Sequence, residues 1–150
     1  MKIHKIPQNV TTLIFDIDST LYTNDDYAYE QVDCQVREFA RIRNMSAEDA
    51  RKLVRDFRKD FAEKNDGKKI SLGNLLTNFG IPIEQSVKWR NDLMRPEDFL
   101  VRDEKLIYEL QILSKKYKLI CVTNNPVKPA RKTLEVIGIS DFIEHIVGLD

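Results

Sequence analysis

The sequence predicts an α/β protein: a parallel, doubly wound sheet interrupted by a long helical insertion. Two short runs rich in β-branched and aromatic residues carry the first part of that prediction. They are "VTTLIFD" at residues 10–16 and "KLICVT" at residues 118–123, each too brief for a stable helix. A third run, "FIEHIV" at residues 142–147, follows a helical pattern and is closed by Gly148. Strand, helix, strand in alternation is the signature of parallel pairing.

The first run ends in Asp16, the second in the turn-formers Asn124, Asn125 and Pro126. Between them the apolar spacing turns helical. Ala28, Val32, Val36, Phe39 and Ala40 share one face. Ser46 opens a capping box with Asp49, followed by Ala50, Leu53, Val54, Phe57 and Phe61 at helical spacing. Shorter helices are expected at residues 72–79 and 83–94, with Trp89 read as core rather than as a platform for a ligand. Asp25 and Asp26 read as N-terminal capping acids that open the first of these helices. Asp103 caps a helix that turns Leu106, Ile107, Leu110 and Leu113 inward, and Lys115 and Lys116 suit its C-terminal dipole. Residues 129–137 form one more helix, stopped by Gly138. The expected division is a discontinuous α/β core over residues 1–21 and 99–150, with a helical insertion over residues 22–98 at the C-terminal edge of the sheet.

Composition narrows the function. The 150 residues suffice for one domain with a real core, and 24 acids balance 24 bases. Zero formal charge gives no general attraction to nucleic acid or an anionic membrane. Mixed tracts such as "RKLVRDFRKDFAEK" read as solvated helix faces. No apolar run approaches about 18 residues, and no signal-peptide segment is recognisable. The two cysteines, Cys34 and Cys121, are far apart and outside any CxxC, so reduced thiols in a cytoplasmic protein are expected. Five glycines form neither a GxGxxG nor a Walker A loop. His145 reads as a strand-end residue and His4 as a surface one.

Two carboxylates remain to be explained. In a doubly wound sheet, ligands gather beyond the carboxyl ends of the strands, where Asp16, Thr123 and Asn124 would lie. Alternation along an extended chain turns Ile17 away from Asp16 and Asp18, so both carboxylates can face one cavity. A hard divalent cation such as Mg²⁺ relieves their repulsion. One carboxylate could then serve as a nucleophile and the other as a general acid and base. A capped turn and an ordinary β-strand threonine are the plainer readings of the same residues.

The segment "FDIDSTLY" resembles the first motif, DxDx[T/V], of the haloacid dehalogenase-like (HAD) hydrolase superfamily. "ICVTNN" resembles its second motif, a strand ending in Thr or Ser, and the helices between are similar to its α-helical cap inserted after the first motif. A finer likeness to the pyrimidine 5′-nucleotidase-like branch lies in "FDID-x-TLY". The resemblance implies a Rossmann-like core and a Mg²⁺-dependent phosphatase acting on a small phosphomonoester. It implies that Asp16 attacks phosphorus to give an aspartyl-phosphate, and that Asp18 protonates the leaving oxygen and later activates water. The Asp16 carboxylate and the Asp18 carbonyl would hold Mg²⁺, while Thr123 and Asn124 would bind the phosphoryl oxygens. Leu21 and Tyr22 fall where the family has its mobile turn and flap.

The family pattern continues with a lysine and then an acidic pair after a fourth strand, and neither appears by Asp150. Lys128, in "NNPVKPARK", comes too soon to be that lysine. The strand not reached would pair with residues 10–15, so an open edge and self-association through it are expected. Three readings of the chain stay open: a piece of a longer protein, a short product covered by another chain, or a degenerate relative with a non-catalytic binding or oligomerisation role. A phosphomutase or phosphotransferase would use the same intermediate with a different acceptor. Weak activity of the 150 residues alone is expected.

Overall fold

The computed structural model describes residues 9–149; His4 and Asp150 lie outside them. In chain order the elements are β1 (Thr12–Phe15), α1 (Asp25–Arg43), α2 (Ala47–Lys64), α3 (Leu72–Thr77), α4 (Ile83–Leu93), α5 (Glu104–Ser114), β2 (Lys118–Val122), α6 (Val127–Val136) and β3 (His145–Val147). Single 3₁₀ turns occur at Pro96–Asp98 and Ser140–Phe142. The described residues fall into two compact units, one of residues 9–23 and 100–149, the other of residues 24–99.

The first unit is the α/β one. Its three strands form a parallel sheet in the order β1-β2-β3. Thr12 is opposite Lys118 and Phe15 opposite Cys121, so β1 and β2 end side by side. Right-handed crossovers between strands added in one direction put their connections on one face of the sheet. Burial alternates accordingly: Leu119 and Cys121 are 1% and 0% exposed, whereas Ile14, Val122 and Val147 on the other face are 63%, 44% and 55% exposed. Leu110, Leu134 and Ile139 complete the buried side.

Local chemistry accounts for the ends of these elements. Asp103 caps α5 by accepting the Leu106 N–H at 2.9 Å. Only Leu110 of the expected apolar face of α5 is fully buried; Leu106, Ile107 and Leu113 are half-buried. Helix α6 begins two residues before the expected start. Pro126 is its cap residue and Pro129 lies within its first turn, where a missing N–H costs nothing. Gly138, at φ +84°, ends it in the left-handed conformation that disfavours other residues. The third strand is shorter than its apolar run because Phe142 belongs to the 3₁₀ turn. His145 is the exposed first residue of β3.

The second unit is helical. Its core joins Val36, Phe39 and Ala40 of α1 to Ala50 and Val54 of α2, Leu72, Leu75 and Leu76 of α3, and Trp89 of α4. Trp89 is therefore core, as its spacing predicts. Asn24 caps α1 by accepting the Tyr27 N–H at 2.8 Å; Asp25 and Asp26 sit in the first turn, where they favour the dipole but do not cap. Ser46 accepts the Asp49 N–H at 3.0 Å and opens α2. Phe79 bridges helices, its ring centroid 5.6 Å from Phe39 and 5.5 Å from Phe57. The polar link between α1 and α4 is buried too: the Ser86 hydroxyl donates to Gln35 Oε1 at 2.8 Å.

One buried charge fastens α1 to α2. Asp33 is 4% exposed and accepts two hydrogen bonds from Arg51, at 2.7 and 2.8 Å, and one from Arg37 at 2.5 Å. The Arg51 hydrogen bond, chiefly, holds the Asp33 carboxyl down to about 2 from its ordinary 3.8. A carboxylate depressed on folding stabilises the native state above its unfolded value and loses that effect as the pH falls through the folded value. We therefore expect on the order of 2 kcal/mol of stability to disappear between about pH 4 and pH 2. Urea melts across that window check this: Asp33→Asn should be less stable at pH 6 and flatter with pH than the parent chain.

Candidate active site

The chain leaves the sheet one residue before its first carboxylate. Strand β1 ends at Phe15, and the next side chain, Asp16, is solvent-exposed. Its Oδ1 accepts the Ile17 N–H at 2.8 Å. Ile17 is 1% exposed and anchors the turn, since its carbonyl accepts from Thr20 N at 3.3 Å and Leu21 N at 3.0 Å. Ile17 is thus buried between an exposed Asp16 and a half-buried Asp18. Ser19 takes a left-handed conformation, φ 58°, in the middle of this turn. Such a backbone costs a non-glycine residue roughly 1 kcal/mol and brings the chain round within four residues.

Asp18 is half-buried, and donors reach both of its oxygens. The Tyr22 hydroxyl donates to its Oδ1, and a short parallel bridge joins the two residues. Asn125 Nδ2 donates to its Oδ2 at 2.8 Å, from 107 positions further along the chain. That contact lies one residue past the point to which the β1–β2 register would extend. The loops after the two strands therefore meet, and the Asp18 carboxyl is where they meet.

The second loop is built around Thr123. Its backbone N–H donates to Val147 O at 2.9 Å, and its Oγ1 accepts the Asn125 N–H at 3.1 Å. Thr123 and Asn125 are 7% and 4% exposed, whereas Asn124 is exposed. The Asn125 carbonyl accepts the Leu149 N–H at 3.1 Å, which ties the loop to the segment after β3. That segment can approach only because residue 148 is glycine. A Cβ there would lie 2.5 Å from the Asn125 carbonyl oxygen and 3.0 Å from Val127 N.

Of the residues singled out in the sequence, Asp18 is joined to the loop that carries Thr123. Asp16 stands at the end of the neighbouring strand, and Asn124 at the exposed tip. Asn125 is a site residue that its place in "TNN" does not distinguish from Asn124. Cys121 is buried beneath the site, and its thiol is pushed up to about 11, by burial first and then by the Asp16 charge. It stays protonated at neutral pH, as does Cys34, also raised to about 11 by burial; both thiols are free. Among the described residues no three His, Cys, Asp or Glu side chains converge as a metal-binding group. The oxygens of Asp16 and Asp18 are hard donors, which fits a Mg²⁺ ion that takes one or two carboxylates and keeps water for the rest.

The family profile of the haloacid dehalogenase-like hydrolases matches residues 10–150. The chain belongs to that family. Its parallel α/β unit agrees with the HAD Rossmann-like core. No curated protein matches the chain. Eleven solved chains do. One is YfnB from Bacillus subtilis, described as a HAD-hydrolase and solved bound to magnesium; it is 15% identical, with a TM-score of 0.47. The match covers 94% of this chain and 66% of that one, so this chain spans just under two thirds of its length.

Among the described residues no helix is long and apolar enough to cross a membrane. The site geometry makes a prediction about Gly148. Gly148→Ala should force the β2–α6 loop away from the segment after β3 and cost about 1–3 kcal/mol in urea denaturation. Gly73→Ala is the control: it lies in α3 with its nearest neighbour at 3.4 Å and should be neutral or stabilising.

Proposed function

We propose that this chain is a phosphatase-type HAD hydrolase that cleaves a small phosphomonoester with the help of Mg²⁺. The observation that carries the reading is the hydrogen bond between Asp18 and Asn125, which joins the acidic loop after β1 to the Thr123 loop after β2. A bound Mg²⁺, held by the Asp16 carboxylate and the Asp18 backbone carbonyl, would neutralise phosphate charge that otherwise repels the nucleophile. The remaining chemistry falls to the protein. An Asp16 oxygen forms a bond to phosphorus, and the ester P–O bond breaks. Asp18 gives its proton to the departing alkoxide, then takes one from the water that hydrolyses the aspartyl-phosphate. Inorganic phosphate leaves and Asp16 is restored. Thr123 Oγ1 accepts from Asn125 N–H, so its own proton is left to be donated to a phosphoryl oxygen, with Asn124 beside it.

In the same proposal the helical unit of residues 24–99 is the cap that selects the substrate, attached directly after the first motif, and the location is cytoplasmic. A pyrimidine nucleotide is one substrate the "FDID-x-TLY" likeness would favour. A second reading, a HAD fold used for binding or self-association, is favoured by the exposed apolar residues Ile14, Val122 and Val147 on one sheet face.

Hydrolysis of p-nitrophenyl phosphate tests the first reading. Activity should require Mg²⁺, vanish in EDTA, return on adding Mg²⁺, and be abolished by Asp16→Asn. Asp18→Asn should cost about 100-fold or more in kcat, because the water that hydrolyses the aspartyl-phosphate loses its base. Equal activity of Asp16→Asn and the parent chain would remove the nucleophile assignment. Release of phosphorylated alcohol in place of phosphate when an alcohol is added would identify a phosphotransferase.

A further inference from the structure

The geometry points to Asn125 and Tyr22 as positioning residues that hold the Asp18 carboxyl in the orientation needed for proton transfer. The inference rests on the reading of Asp18 as the acid and base, and it goes beyond it by naming what aims that group. An aspartate rotates about two side-chain bonds, and a single hydrogen bond leaves its carboxyl plane free to swing. Here donors reach both oxygens, Tyr22 Oη at Oδ1 and Asn125 Nδ2 at Oδ2, which defines the plane. Two donors on two oxygens act as a clamp.

Neither donor is itself loose. Asn125 is 4% exposed, its N–H is taken by Thr123 Oγ1 and its carbonyl by Leu149 N–H. With its backbone held on both sides, its carboxamide reaches the Asp18 carboxyl from a fixed base. Gly148 lets the chain approach closely enough to make the second of those bonds. Tyr22 is fixed by the bridge to Asp18 and by its neighbour Leu21, which is 7% exposed. Asn124, of the same residue type and one position away, is exposed. The paired asparagines thus divide the work: Asn124 lies at the exposed tip of the loop, and Asn125 faces inward to the acid.

The test uses the dependence on leaving group. p-Nitrophenolate departs with little help from an acid, whereas an alkoxide requires protonation. Both esters pass through the same aspartyl-phosphate, so kcat/KM, which reports the first chemical step, separates them. Tyr22→Phe and Asn125→Ala should each lower kcat/KM for an alkyl phosphate by about 10-fold or more, and for p-nitrophenyl phosphate by less than about 3-fold. Equal losses on the two esters, or no loss on either, would overturn the assignment.

A folding measurement, independent of turnover, keeps the contact itself under test. In a double-mutant cycle followed by urea denaturation, the midpoint shift caused by Asn125→Ala should shrink by at least half when Asp18 is already Ala. An undiminished shift would show that Asn125 supports the loop without holding Asp18, and would overturn the positioning role. If the parent chain hydrolyses neither ester, the proposed function fails, and the cycle alone then decides whether the clamp exists. Tyr22→Phe, which removes one oxygen from a half-buried side chain, serves if Asn125→Ala does not fold.

Discussion

The parallel register of β1 against β2 is the constraint on which the candidate site depends. With Phe15 opposite Cys121, the two strands finish at the same level, and the loops that follow emerge side by side. A shift of one residue would exchange the buried and exposed faces of β1. It would also move Asp18 away from Asn125. What fixes the register is ordinary burial, with Leu119 and Cys121 of β2 turned into the covered face. The arrangement of side chains at the strand ends therefore depends on an apolar core that lies apart from them.

Carboxylates next to a hydrophobic strand raise a problem of desolvation. The fold avoids most of it. Asp16 lies one residue past the strand and remains in solvent, while Asp18, which is half-buried, receives hydrogen bonds from Tyr22 and Asn125. The helical unit handles a similar difficulty differently. Asp33 is buried, and two arginines surround it. A buried charge of that kind is costly to create and more costly to leave without its partner, so it fastens α1 to α2 specifically. The acids illustrate different solutions: Asp16 stays in solvent, Asp18 is half-buried with donors on both oxygens, and Asp33 is buried between arginines.

Much of this was legible in the sequence, and the exceptions have physical causes. The strands were visible as short β-branched runs, and the caps at Ser46 and Asp103 lie where their side chains predicted. The sequence alone does not separate Phe142 from β3, because an apolar residue in a 3₁₀ turn looks the same as one in a strand. Pro129 suggests a later start for α6 than the structure has, because proline is tolerated throughout the first turn. Asp25 and Asp26 drew attention away from Asn24, whose side chain makes the actual cap. In the site, Asp16, Asp18 and Thr123 stood out through residue type and spacing. Asn125 did not, because two adjacent asparagines in a turn are equivalent until the backbone chooses which one faces inward. That choice follows from the Thr123 hydroxyl, which accepts the Asn125 N–H, and from the close approach at Gly148.

Whether the two loops together grip a transferring phosphoryl group is open to one direct observation. A crystal structure of the chain soaked with Mg²⁺ and beryllofluoride would place the phosphoryl mimic. We expect it bonded to an Asp16 carboxylate oxygen, within hydrogen-bond distance of Thr123 Oγ1, with Asp18 still held by Asn125. A mimic bound elsewhere, or an Asp16 side chain directed away from Thr123, would contradict the account.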